Sequence, residues 1–230
     1  MQKQKIDPLF LVLHSDYDSV FCGLYNGSHC QGFVQEPKLT ASKNLMVRCN
    51  ELLAKYGASW TDLSFIGVNQ GPSPFTTLRV VITTVNGLLF SHNIPLVGVD
   101  GLQTFVNAVS EPTSGPVVAL LNAFNKDVYF AIKQQDGSIE VGWGFYATFL
   151  DALAKKFSGK QVTFVGNAVS LYRDTIGNFF PGAHIPEPLP ATVSLHEIAR
   201  QAFVQWNKGH MTREPLLPLY LKTLEYKPST

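Results

Sequence analysis

Phe65-Ile-Gly-Val-Asn-Gln-Gly-Pro-Ser-Pro-Phe-Thr-Thr-Leu-Arg79 reads as a buried strand that turns sharply through Gly71 into a helix. The run Phe65-Ile-Gly-Val is short, apolar and bounded by turn residues, the pattern of a strand covered on both faces. Beyond the turn, Leu78, Val81, Ile82, Val85, Leu88 and Leu89 fall on one side of a 3.6-residue period. A strand-turn-helix can present a nucleophile or an anion site, and the residues count against both. As a nucleophile elbow, Gly71-Pro-Ser73-Pro-Phe75 lacks the second glycine, and Ser73 is followed by Pro74. An elbow's oxyanion hole uses the N–H after the nucleophile, which proline does not have. That donor is typically worth about 3 kcal/mol. Pro72 and Pro74 also delete two N–H groups that a helix N-terminus would aim at a phosphate. The expectation is a structural turn made by Gly71, Pro72 and Pro74 and leading into Thr76 and Arg79, with Pro74 near the first helical position.

Upstream, Leu9-Phe-Leu-Val-Leu and residues 19–25 and 30–34 carry strand composition, and Asn26-Gly27 between the last two is a strong hairpin signal. A helix follows, with Leu45, Met46, Cys49, Leu52, Leu53 and Tyr56 on one stripe, Thr40 or Ser42 as its cap and Gly57 just past its end. Downstream, residues 95–99 read as a strand, and Asp100 with Gln103 resembles a capping box before Leu102, Phe105 and Val106. The Pro/Gly-rich stretch 111–116 breaks the pattern and marks a lobe boundary. Beyond it, 117–121, 128–132 and 139–141 are strand-like, 149–157 is helix-like, 162–165 is a strand and 171–176 is helical. Residues 181–190 hold four prolines and form a loop, and Leu195, Ile198, Ala199, Ala202, Phe203 and Trp206 make an amphipathic helix. Strands followed by a helix thus occur twice, which predicts an α/β fold with two lobes and mixed sheets. The expected divisions are 1–110, 111–190, and a helix and tail, 191–230, packing back on the first lobe.

The 230 residues are 45% apolar and 15% charged, with 18 Lys and Arg against 17 Asp and Glu. A net charge of +1 is not that of a stand-alone nucleic-acid binder, whose affinity comes largely from phosphate contacts. Three cysteines, Cys22, Cys30 and Cys49, without a C-x-x-C spacing, argue against a disulfide framework and fit a reducing cytoplasm. The N-terminal residues lack the apolar core of a secretory signal. The uncharged window 80–99 contains Thr83, Thr84, Asn86, Ser91, His92, Asn93 and Pro95, so it reads as helix, turn and strand and no membrane association is expected.

No cofactor or metal motif is present. The six histidines, His14, His29, His92, His184, His196 and His210, include no pair spaced three to five residues apart. There is no phosphate loop ending in Gly-Lys-Ser/Thr; Gly159-Lys160 is followed by Gln161. Gly142-Trp-Gly144-Phe-Tyr-Ala147 matches a dinucleotide fingerprint by letters, but no acidic residue sits about twenty positions on, and the stretch reads as a turn.

Gly71-Pro72, Phe75-Thr76, Leu78-Arg79, Gly87-Leu88 and Asn93-Ile-Pro-Leu-Val-Gly-Val99 together resemble the TsaB (YeaZ) family, whose usual pattern reads G-P-G-S-F-T-G-x-R, then G-L, then I-P-x-x-G-V-S-S-L. Asp100-Gly-Leu102 stands for the S-S-L, Lys126-Asp-Val-Tyr129 is similar to G-E-V-Y, and Pro218-Leu-Tyr-Leu-Lys222 to P-x-Y-L-R. The resemblance implies an actin-like, duplicated α/β fold related to sugar kinases and heat-shock chaperone ATPase lobes. It also implies a non-catalytic partner of the paralogue TsaD, which carries the metal. With the ATPase TsaE these transfer a threonylcarbamoyl group to the tRNA adenosine beside the anticodon. Contact with tRNA would then be indirect, and self-pairing of the isolated chain is left open.

Departures from the pattern bear on chemistry. His14 stands where the family has an Asp after the opening strand, with Asp16 two positions late, and Asn122-Ala123 stands for an Asp-Ala pair. In actin-like folds such carboxylates hold the water shell of a magnesium–nucleotide. Two hypotheses follow. The first is a scaffold that pairs through its first two long helices, residues 42–56 and 76–90, with Leu45, Cys49, Leu52, Val81 and Leu88 as the interface. The alternative is an actin-fold small-molecule kinase or acyl/carbamoyl transferase with a degraded nucleotide site, for which Asp16, Asp18 and Asp127 are the acids near loop ends. A peptidase, as older names for the superfamily suggest, has neither a metal pair nor a competent serine here.

Overall fold

A computed structural model describes residues 7–109 and 115–222. Its residues form two compact units: those through Thr104 together with Ser194–Leu219, and Phe105–Val193 together with Tyr220 onward. Most of the expected boundary stretch, residues 111–114, and the last residues of the tail lie outside the described residues.

In the first unit, β1 (Leu9–Ser15), β2 (Ser19–Asn26) and β3 (His29–Pro37) form an antiparallel meander, and β4 (Phe65–Asn69) and β5 (Leu96–Val99) extend it in parallel in the order β3-β2-β1-β4-β5. Between β3 and β4 runs α1 (Lys38–Lys55), between β4 and β5 runs α2 (Phe75–His92), and α3 (Gly101–Ala108) follows β5. Side chains alternate across a strand, and β1 serves two layers. Leu11 and Leu13 join the core built with α1 and α2. Phe10 points the other way, toward α7 (Leu195–Asn207), where its ring lies 4.4 Å from Phe65 and 6.0 Å from Phe203. Such aromatic pairs add about 0.5–1.5 kcal/mol each beyond the area they bury. Gly67 lets α7 approach, since a Cβ there would meet that of Ala202 at 2.7 Å.

The second unit repeats the arrangement with fewer elements. β6 (Val117–Asn122), β7 (Asp127–Lys133), β8 (Ile139–Phe145) and β9 (Thr163–Val165) stand in the order β8-β7-β6-β9, with β6 and β9 parallel. Val118, Leu120, Val128, Ile132 and Phe164 pack on α4 (Tyr146–Lys156), α5 (Asn167–Leu171) and α6 (Arg173–Phe179). A meander, a helix and then a parallel strand beside the first one, found twice, is the actin-like duplication of an α/β fold.

Several local expectations are corrected. The helix α1 begins at Lys38 with Pro37 at its N-cap, so neither Thr40 nor Ser42 caps it; the Thr40 hydroxyl instead donates to the Glu36 carboxylate. Pro74, expected near the first helical position, is the N-cap of α2, immediately before Phe75. Gly142 and Gly144 lie inside β8, not in a turn, because the Phe130 ring fills the space a side chain at Gly142 would need, 2.6 Å from its would-be Cβ. The C-terminal segment does not go whole to the first lobe. Helix α7 packs on β1, β4 and β5, whereas Lys222 pairs with Asp127 at 2.7 Å and lies 5.5 Å over the Trp143 ring in the second unit.

Candidate functional site

The turn after β4 is closed by its own hydrogen bonds. Gly71 has φ +113°, a backbone conformation that side chains strongly disfavour, and its N–H donates to Asn69 Oδ1 at 2.9 Å. That bond fixes the amide's orientation, so the Asn69 amide nitrogen faces His14 and donates to Nδ1 at 2.9 Å. His14 and Asn69 are both buried. Ser73 is buried too, and its hydroxyl pairs with that of Ser15 at 2.8 Å rather than with a base. The Gly71 carbonyl accepts from the Gly101 N–H, tying the turn to α3. Gly71 and Pro72 are buried, Pro74 is half-buried, and Thr76 and Arg79 are exposed on α2, where the Arg79 guanidinium sits 3.6 Å from the centre of the Phe75 ring.

The acids singled out for a nucleotide site are each engaged locally. Asp16 accepts the N–H groups of Asp18 and Ser19, closing the β1–β2 turn. Asp18 pairs with Lys38 on the surface. Asp127 pairs with Lys222, and Asn122 accepts the Phe124 N–H through Oδ1 while its own N–H goes to Asn167. Among the described residues no three of His, Cys, Asp and Glu converge as metal ligands, and no helix is long and apolar enough to cross a membrane.

The helix pair α1–α2 presents a different kind of site. All five residues expected at an interface, Leu45, Cys49, Leu52, Val81 and Leu88, are core: each is at most 3% exposed and belongs to the first unit's apolar cluster. The reason is geometric, since they occupy the centre of each helical stripe, and the centre faces the sheet. The outward surface is made by their neighbours. Leu39 is 87% and Phe90 94% exposed, and Met46, Val47 and Phe75 are also out. Between the helices lies an open groove of about 450 Å³ lined by Ser42, Phe75, Thr76, Arg79, Val80, Thr83 and Thr84. The Thr84 hydroxyl donates to the Val80 carbonyl one turn back, which leaves its methyl for the groove. Gly87, one turn beyond Thr83, has open space where a Cβ would stand. The outward strip of α2 from Thr83 to Gly87 is therefore low and uncharged, and lies between two exposed phenylalanines with Arg79 over the first of them. Sequence reasoning located these helices and, Met46 apart, missed their outer residues; Phe75 and Phe90, outside the residues read as the stripe of α2, were the available signal.

At the electrostatic level α1 is anchored by Glu36, whose buried carboxylate accepts from Thr40, Asn44 and Arg48. The hydrogen bonds from Thr40 and then Asn44, more than the Arg48 contact, hold that carboxyl below the usual carboxylate range.

Comparison with known proteins gives the following. The family model described as "TsaD: tRNA N6-adenosine threonylcarbamoyltransferase" matches residues 36–208. The "tRNA threonylcarbamoyladenosine biosynthesis protein TsaB" of Haemophilus influenzae is 28% identical over 212 residues, covering 86% of either chain. The protein of that name from Escherichia coli is 27% identical over 96 residues, 41% of this chain and 42% of that one, so the match spans less than half of that relative. The solved structure "YeaZ from Pseudomonas aeruginosa" superposes with a TM-score of 0.70 at 22% identity, covering 93% of this chain and all of the other, and shows the shared fold. The TsaB (YeaZ) resemblance read from residues 65–102 is borne out by these relatives.

Proposed function

This chain belongs to the family described as TsaD: tRNA N6-adenosine threonylcarbamoyltransferase, and we propose that within it the protein is a non-catalytic, TsaB-like subunit. In this reading it holds and activates a TsaD-like enzyme that threonylcarbamoylates the tRNA adenosine next to the anticodon. A TsaE-like ATPase completes the assembly, and tRNA is contacted mainly by the other subunits. The observation that carries the reading is the outward face of α1 and α2. Leu39, Met46, Val47, Phe75 and Phe90 are exposed on these helices, which also carry the groove lined by Ser42, Phe75, Thr76, Arg79, Val80, Thr83 and Thr84, and exposed apolar surface of this kind marks association sites. The loops support it from the other side. His14 and Asn122 stand where the resemblance expects carboxylates, and the side-chain oxygens of Asn69 and Asn122 are taken by the neighbouring Gly71 and Phe124 N–H groups.

The test is co-expression with the TsaD-type paralogue of the same genome, followed by size exclusion with light scattering. The expected result is a one-to-one complex that survives dilution to micromolar concentration. In the double variant Thr83→Arg with Gly87→Arg the monomer should stay folded and the complex should separate into two peaks. Two separate peaks with the unaltered chain would overturn the scaffold reading. So would calorimetric binding of magnesium–ATP to the isolated chain much tighter than about 1 mM, roughly −4 kcal/mol, which favours the kinase or transferase alternative.

A further inference from the structure

Cys22 and Cys49 are 27 positions apart in the chain and lie on different elements, yet their sulfurs are 2.8 Å apart in the core of the first unit. Cys22 sits mid-strand in β2, paired with Leu13 of β1 and Val34 of β3. Cys49 lies on the inward stripe of α1 between Leu45 and Leu52. Both are fully buried, and burial pushes the Cys22 thiol well up from its ordinary value. A disulfide has its sulfurs about 2.05 Å apart, so the bond needs a closing movement of only ~0.8 Å.

We propose that Cys22 and Cys49 are a modification site: on exposure to hydrogen peroxide they form an intramolecular disulfide that joins β2 to α1. One sulfur, as thiolate, attacks a peroxide oxygen. The O–O bond breaks, the displaced oxygen takes up the thiol proton and leaves as water, and that cysteine becomes a sulfenic acid. The second sulfur then attacks the first, the S–O bond breaks, and the departing hydroxide leaves with the second thiol's proton as water. Two thiols and one peroxide become one disulfide and two waters, the sulfurs losing the two electrons that the peroxide gains. The dry surroundings slow the first step by disfavouring the thiolate and admit only a small neutral oxidant. The adjacent second sulfur intercepts the sulfenic acid before it oxidises further. Cys30 is exposed and lies outside this pair.

The experiment uses the full folded chain, unaltered and as Cys30→Ser, treated with hydrogen peroxide and alkylated under denaturing conditions. The expected result in Cys30→Ser is the loss of both alkylatable thiols with an intact mass lower by two hydrogens, and in both proteins a peptide map linking the segments that hold Cys22 and Cys49. Reduction with dithiothreitol should restore both thiols, and the oxidised chain should melt several degrees higher. Retention of both thiols under conditions that consume Cys30 would overturn the proposal. Recovery of Cys22 or Cys49 as sulfinic or sulfonic acid, or in a disulfide between two chains, would do the same.

Discussion

The first sheet carries two 18-residue helices, α1 and α2, on one face and α7 on the other, whereas the second carries helices of 11, 5 and 7 residues on one face. Both sheets keep the same order, a meander followed by a parallel strand beside its first member. The strand order is held by main-chain hydrogen bonds and by the two-residue alternation, neither of which depends on which side chains face outward. The helices are under no such constraint on their outer faces. In the first unit those faces hold Leu39, Met46, Val47, Phe75 and Phe90, while on the second unit's helices the large apolar residues most exposed are Leu171 and Phe179. The comparison teaches that duplication preserves pairing and leaves the helix surface free to specialise.

The variant that tests this division most severely is Val81→Arg. Val81 is fully buried in the first core, and an unpaired charge there should cost more than about 4 kcal/mol and unfold the unit. Loss of the near-ultraviolet circular dichroism signal measures it. A soluble, cooperatively melting Val81→Arg would mean that the stripe is not core and that the two faces of α2 have been exchanged. Next in size is the matching truncation in the second sheet, Phe164→Ala, which empties a fully buried ring site on β9. It should lose about 3–5 kcal/mol in chemical denaturation. A much smaller loss would make the second repeat a loosely packed copy of the first.

A third variant, Glu36→Gln, addresses how the first unit holds α1. The Glu36 carboxyl is held below its unfolded value by Thr40, Asn44 and Arg48. Its contribution is therefore complete at neutral pH and is lost as pH falls from the ordinary carboxylate range through the lower folded value. The wild-type melting temperature should drop more between neutral and acid pH than that of Glu36→Gln, and equal drops would remove Glu36 from the account of α1. The smallest effect belongs to Gly87→Ala. The position is helical, exposed and sterically open, so the isolated chain should gain about 0.5–1 kcal/mol. A loss instead would mean that the outer face of α2 is not free in the isolated chain.

Much of the fold was legible. The apolar run of residues 9–13, the Asn26-Gly27 turn and the stripe of α7 are local signals, and Asp100 does accept the N–H groups of Leu102 and Gln103 as a cap should. The candidate surface was legible only to the helix. Leu45, Cys49 and Leu52 recur at i, i+4 and i+7, with Met46 at the edge of that stripe and Val47 on the opposite side. Period gives the centre of a stripe, and its edges depend on how closely the sheet and the second helix approach. Gly142 of β8 misled for a related reason: a glycine in a strand reads as a break until the ring opposite, here Phe130, is known to fill its place.

The sequence by itself determined the succession of strands, the longer helices, their duplication and the family, because hydrogen-bonding period, turn chemistry and motif spacing are properties of neighbouring residues. The five-residue α5 was too short for a period to show. Only the tertiary structure decided that Val81 and Leu88 are core while Phe75 and Phe90 face outward, that Asn69 holds His14, and that Cys22 meets Cys49. Those are contacts between residues far apart in the chain. Which of them form is set by how the close-packed interior is filled, a condition on all the side chains at once.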